Sequence, residues 1–193
     1  MKNIVRVGGF VMERTILCHR LFWALVLRKP IDAQIINFTE EVAPGFPHMR
    51  KDRLHVTMGL IPDFPEDPVA PAAKVRGISD EITADPFEMI VDRLSGNGGT
   101  LALRPSRRIE GLFALRGQIV DVARRAGVAL RQSFNPHITL AYRDGVPFTR
   151  TIEGFGWWVD ELVLIHSLVG LTEHRILGRW PLRGRDDPQL SLF

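Results

Sequence analysis

Apolar positions along this chain follow two rhythms, and the changes between them mark out the elements. Arg20 to Leu27 (RLFWALVL) is a short apolar run closed by Arg28-Lys29-Pro30, which predicts a buried strand. A helical rhythm follows: Ile31, Ile35, Phe38 and Val42 recur at spacings of four, three and four, and Pro44-Gly45 ends the stripe. Leu54 to Leu60 reads as a second strand. The proline- and acid-rich stretch from Pro62 to Pro71 is a loop leading into a helix with Val75, Ile78 and Ile82 inward. Phe87 to Leu94 and Thr100 to Leu103 are strands, and Ser95-Gly96-Asn97-Gly98-Gly99 between them is hairpin punctuation.

Ser106 is placed to cap a helix with Ile109, Leu112, Phe113, Ile119, Val120 and Ala123 on one side, ending near Gly127. Strands return at His137 to Tyr142, Glu161 to Val169 and His174 to Trp180, with Gly170 to Glu173 as the turn between the last two. Strands and helices thus alternate in two similar rounds. The expected architecture is α+β and mostly antiparallel, a single domain over 1–182 made of two lobes with a cleft between them. Residues 183–193 are expected to form a flexible C-terminal tail.

Each round contains a strand that carries His, one residue, then Thr: Leu54-His55-Val56-Thr57-Met58 and Pro136-His137-Ile138-Thr139-Leu140, with the histidines 82 positions apart. Alternate side chains of a strand share a face. Each strand therefore buries its aliphatic residues on one side and presents an imidazole and a hydroxyl on the other. A proline at the first position of a strand, as at Pro136, removes no central ladder bond.

Two such strands facing each other give a cleft with two imidazoles and two hydroxyls. Hydrolysing a cyclic phosphodiester needs one group to take a proton from water and another to return one to the departing ribose oxygen. A pair of histidines with ordinary pKa values near 6.5 can divide those tasks. The threonine hydroxyls of Thr57 and Thr139 can donate to the non-bridging phosphate oxygens. One His-x-Thr in a strand is more often structural than catalytic; the duplication with matching alternation reverses that preference.

Other chemistries fit less well. Zinc requires three or four protein ligands, and each motif offers one imidazole with no carboxylate or cysteine beside it, so no metal or cofactor is assigned. His19, His48, His166 and His174 are read as structural or surface residues. Neither a glycine-flanked serine elbow nor a phosphate-cradling loop with its lysine is present, which leaves water as the nucleophile.

At these tetrapeptides the chain resembles the 2H phosphoesterase superfamily, in its bacterial and archaeal branch named 2′-5′ RNA ligase or RNA 2′,3′-cyclic phosphodiesterase. Arg20-Leu-Phe-Trp-Ala-Leu resembles the family's opening strand and Arg53-Leu-His-Val-Thr its first motif. Phe134-Asn-Pro-His-Ile-Thr-Leu-Ala resembles its second motif; Leu164-Ile-His-Ser-Leu and Trp180-Pro-Leu resemble its closing strands. The resemblance implies a bilobal fold with a pseudo-twofold axis, His55 and His137 as the acid/base pair, and Thr57 and Thr139 on the phosphate. It also implies a phosphate contact for Arg143, which here stands one residue beyond Tyr142. The implied substrates are RNA 2′,3′-cyclic phosphate ends or cyclic nucleotides. A binder of RNA ends that no longer turns over, and an ATP-independent 2′-5′ ligase, are the alternatives the family leaves open.

Bulk properties change this picture little. The chain has 193 residues, 45% hydrophobic and 24% charged, an ordinary globular composition. A net charge of +3 suits an anionic substrate without implying a long nucleic-acid track. Cys18 is the only cysteine, so no intramolecular disulfide forms and a reducing cytoplasm is the expected location. The apolar stretch from Ile4 to Phe10 is too short and too interrupted for a leader or a membrane span. At the C-terminus, Gln189-Leu190-Ser191-Leu192-Phe193 resembles the peptide by which bacterial DNA-processing proteins dock on the replicative sliding clamp. Docking on a clamp and folding back on the domain are equal readings of it.

Overall fold

The computed structural model describes residues 3–7 and 10–183, those before Thr15 by their backbone alone. Its strands are β1 (Asn3–Val7), β2 (Phe10–Arg14), β3 (Cys18–Val26), β4 (His55–Leu60), β5 (Phe87–Gly96), β6 (Thr100–Arg104), β7 (Ile138–Tyr142), β8 (Phe148–Val159), β9 (Glu161–Val169) and β10 (Glu173–Pro181). Three α-helices intervene, α1 (Ile31–Val42), α2 (Val69–Ser79) and α3 (Glu110–Arg125). The class is α+β. β1 and β2 form a separate hairpin; the other eight strands form one sheet, antiparallel at every pairing, in the order β10-β9-β3-β4-β7-β6-β5-β8.

That order makes β4 and β7 the central neighbours, flanked by three strands on each side. They touch through a single pair, Val56 with Ile138, whereas β3 and β9 share seven. The two four-stranded halves of the sheet are thus joined through one paired position.

On β3 and β4, Leu21, Trp23, Leu25, Val56 and Met58 join the main core, all at most 1% exposed. The opposite face carries a small cluster of Phe22, Ala24, Val163 and Ile165. Trp23 donates its indole N–H to Ser79 Oγ at 2.8 Å, which ties the end of α2 to β3. Arg116 of α3 is buried, and its Nη1 donates to the Met58 carbonyl at 2.7 Å. A buried guanidinium needs such an acceptor. Gly59 makes the close approach feasible: a Cβ there would lie 2.9 Å from both Ile119 Cγ2 and Trp23 Cε3.

Several expectations are corrected. Ser106 does not cap α3, whose N-cap is Ile109. Its backbone N–H and hydroxyl both donate to Asp92 instead, at 2.7 and 2.5 Å, pinning the loop to β5. The buried side of α3 carries Leu112, Leu115, Arg116, Ile119, Val122 and Ala123, so Val120 faces outward at 38% exposed. β8 was not anticipated, and it is the edge strand that holds Trp157 and Trp158. The hairpin β1–β2 was not anticipated either. Of the expected flexible tail, 184–193 lie outside the described residues.

Candidate functional site

Because Val56 is opposite Ile138, the antiparallel register runs His55 toward Thr139 and Thr57 toward His137. The two tetrapeptides are thus related by a local twofold through that one pair. Within each, alternation holds: Val56, Met58, Ile138 and Leu140 are fully buried, while the histidines and threonines are half-buried on the other face.

Both imidazoles are fixed in the same way. His55 Nδ1 lies 2.7 Å from the Arg53 carbonyl, and His137 Nδ1 lies 2.7 Å from the Asn135 carbonyl. A carbonyl can only accept, so each Nδ1 carries the proton and each Nε2 is the atom free to exchange one. The i to i−2 bond closes over the residue before the histidine, Leu54 in one motif and Pro136 in the other.

These four residues line a cleft of about 390 Å³. Arg20, Arg53, Arg116 and Arg131 also line it, together with Phe22, Phe134, Asn135, Tyr142, Ser167 and His174, and its lining contains no carboxylate. A concave site with four guanidinium groups and no acid is built for an anion.

All four of these arginines are partly engaged, Arg131 through an ion pair of 3.4 Å with Asp63. Arg20 makes a two-point pair with Asp63 at 2.8 and 2.7 Å, and Arg116 holds Met58. Arg53 donates from Nη2 to His174 Nε2 at 3.0 Å, but among the described residues its buried Nε has no hydrogen-bond partner. A buried unpartnered N–H is costly, and Arg53 carries that cost beside the cleft.

The histidine pKa values fall. Burial holds His55 down to about 4, helped by the positive charges of Arg53 and His137 and opposed by the bond to the Arg53 carbonyl. Burial and the charge of Arg104 lower His137. His174 is held at about 3 by burial, then by Arg53 and His55.

Arg143 is not among the cleft-lining residues. Its guanidinium lies over the rings of Phe46 and Phe148, 5.5 and 5.7 Å from their centres. It is the exposed Tyr142 at the end of β7 that borders the cleft. His174, read from sequence as structural, is a cleft residue, packed edge-on against His55 with ring centres 5.5 Å apart. It stands in a row with Ser167 and Arg20 across β10, β9 and β3. No local signal reveals that row, which exists only once three strands from distant parts of the chain are paired.

Fold and site together define a protein of the phosphoesterase and ligase kind. Residues 29–170 match the model of the 2′-5′ RNA ligase superfamily, and the chain belongs to that family. No curated protein sequence matches it. Among solved structures, one described as a phosphoesterase superposes with a TM-score of 0.73 at 25% identity, covering 86% of this chain and 99% of the other. LigT from E. coli, in its apo form, gives 0.72 at 24%, covering 86% and 98%. TT0787 from Thermus thermophilus gives 0.66 at 22%, covering 86% and 99%. Among the described residues no helix is long and apolar enough to cross a membrane. Gln189 to Phe193 lie outside the described residues, and no comparison supports a sliding-clamp partner.

Proposed function

We propose that this protein hydrolyses 2′,3′-cyclic phosphodiesters of RNA ends or nucleotides, with His55 as general base and His137 as general acid. The observation that carries this reading is the matched pair of imidazoles, each locked by Nδ1 to a carbonyl and presenting Nε2 to an arginine-lined cleft free of carboxylates. E. coli LigT has been crystallised with 3′-AMP, ATP, NADP+ and phosphate, all phosphate-bearing ligands.

In this reaction His55 Nε2 takes the proton of a water whose oxygen attacks phosphorus. The bond from phosphorus to one ribose oxygen breaks, and His137 Nε2–H protonates that oxygen, leaving a phosphate monoester. His55 suits the base because its imidazole stays neutral down to about pH 4. His137 must enter as the imidazolium. The bound phosphate's negative charge, opposite in sign to Arg104, raises its pKa once substrate is in place. Thr57 and Thr139 donate to the non-bridging oxygens, and the guanidinium of Arg53, a cleft-lining residue, is the cation in the place expected of Arg143.

The test is incubation of the purified chain with a 2′,3′-cyclic mononucleotide in EDTA, following monoester by phosphorus NMR. Stoichiometric conversion is expected. No turnover despite measurable nucleotide binding would instead identify a binder.

A further inference from the structure

On the face of the sheet turned away from the cleft, His19 of β3 and His166 of β9 are diagonal neighbours, since His19 pairs with Leu168 and Leu21 with His166. Both are buried, at 8% and 4% exposed. Nδ1 of His19 lies 2.9 Å from Nε2 of His166. A third group converges from the connection between β4 and α2: one ligand atom each from His19, His166 and the exposed Asp67 lie within 4.8 Å of one another.

We propose that His19, His166 and Asp67 form a site for a divalent transition ion of the zinc class, which clips the β4–α2 connection onto β3 and β9. Two imidazoles and a carboxylate are borderline donors that select such an ion over Ca²⁺ or Mg²⁺, and water completes the tetrahedron. With bonds of roughly 2.0–2.2 Å, tetrahedral ligands stand about 3.3–3.5 Å apart. The imidazole nitrogens therefore part by a few tenths of an ångström, and the flexible Asp67 carboxylate closes in. In their hydrogen bond one of the two nitrogens carries the proton and the other the lone pair; on binding, that proton passes to the far nitrogen of its own ring, so that both lone pairs face the ion. Glu173 and Arg175 flank the site from β10 and are paired to each other at 2.7 Å.

The connection is already seated there, because His19 and Phe64 exchange backbone hydrogen bonds of 2.8 Å in both directions. It carries Asp63, whose carboxylate holds the cleft residue Arg20. The ion thus braces, from behind, the arm that orients one cleft guanidinium. This site does not depend on the proposed reaction.

The experiment is zinc titration by calorimetry, with melting curves and the visible spectrum of the Co²⁺ form. One ion per chain and tetrahedral Co²⁺ bands are expected. Tm should rise about 5–10 °C at a hundredfold excess over Kd. Asp67→Asn, an exposed and conservative change, and His166→Gln should each weaken binding by more than about tenfold, while a chain carrying both His55→Ala and His137→Ala keeps it. Zinc affinity unchanged in Asp67→Asn, binding lost with the cleft histidines, or no binding at about 100 µM would overturn the proposal.

Discussion

Around His55 the cleft is walled by rings: Phe22 lies 5.1 Å away tilted, and His174 5.5 Å away edge-on, between centres. Around His137 it is walled by polar groups, with Asn135 beside it receiving a 2.6 Å bond from Arg104. The backbone frame is the same in both halves: a strand, the His-x-Thr alternation, and the Nδ1 bond to the carbonyl two residues back. The walls differ, and imidazole chemistry follows the walls. Burial penalises the charged ring at both histidines, with Arg53 adding to it at His55 and Arg104 at His137, and the larger shift falls on the ring-walled His55. In the proposed reaction, duplicated geometry with divergent surroundings would give two identical side chains opposite proton-transfer roles.

The strongest way to break this comparison is to remove either imidazole. His55→Ala and His137→Ala should each lower kcat on a cyclic nucleotide by about 10²-fold or more, with the double variant falling well short of the product of the two. Circular dichroism should be unchanged. If one of them retained near-full activity, the halves would not share the work.

Thr57→Val and Thr139→Val come next. Each removes one hydrogen bond to a charged oxygen, of about 1.5–3 kcal/mol, and should reduce kcat/KM by about 10- to 100-fold. Because the register sets each threonine across from the other motif's histidine, equal losses would show that the local twofold extends to the phosphate. A loss confined to one threonine would show that only one half grips it.

How much of this was readable in advance depended on whether the information was local. β3, β4, α1, the β5–β6 hairpin and the β9–β10 pair were legible because their burial is one-sided or total and their ends carry Pro, Gly or Asn. Asn97, for example, accepts from the N–H groups of Gly99 and Thr100 at 3.2 and 2.9 Å and so sets that turn. β8 escaped because an edge strand has little to bury: Thr149, Arg150, Thr151 and Gly154 are all exposed. Ser106 misled because a serine before an apolar stripe serves a strand aspartate as readily as a helix end. The two motifs were visible as repeats. The surroundings that distinguish them, His174 from β10 and Arg104 from β6, were set by tertiary pairing and left no trace in the local pattern.

The pH profile sharpens the comparison at smaller amplitude. kcat/KM against pH should be bell-shaped, its acid limb set by His55 and its alkaline limb by His137. Substrate raises the acid's pKa, so the alkaline limb of kcat should lie at higher pH than that of kcat/KM. Arg53→Met removes a positive charge that disfavours the His55 imidazolium, and should move the acid limb to higher pH. Arg104→Met should move the alkaline limb upward for the same reason. Rate measurements across pH on both variants check the assignment; the opposite pairing of variant and limb would exchange the two roles.

The smallest effect concerns stability. His55 and His174 are held at about 4 and about 3 in the fold, whereas an unfolded histidine titrates near 6.5. Below pH 6.5 the unfolded chain therefore binds more protons than the native one, so native stability falls as pH drops from 6.5 toward 4. The slope is at most about 1.4 kcal/mol per pH unit for each such histidine. Carboxylates held low by their partners, Asp63 by Arg20 and Asp92 by Ser106, add their losses only in the carboxylate range beneath that window. Melting curves between pH 7 and pH 4 should thus show a decline that His174→Leu makes shallower. Millimolar phosphate should oppose the decline, because an anion bound among Arg53, His55 and His137 makes their charges favourable instead of costly. A Tm that stayed level from pH 6.5 to 4 would mean that the ring-walled half of the cleft admits enough water to ionise freely, and the contrast between the two histidines would vanish with it.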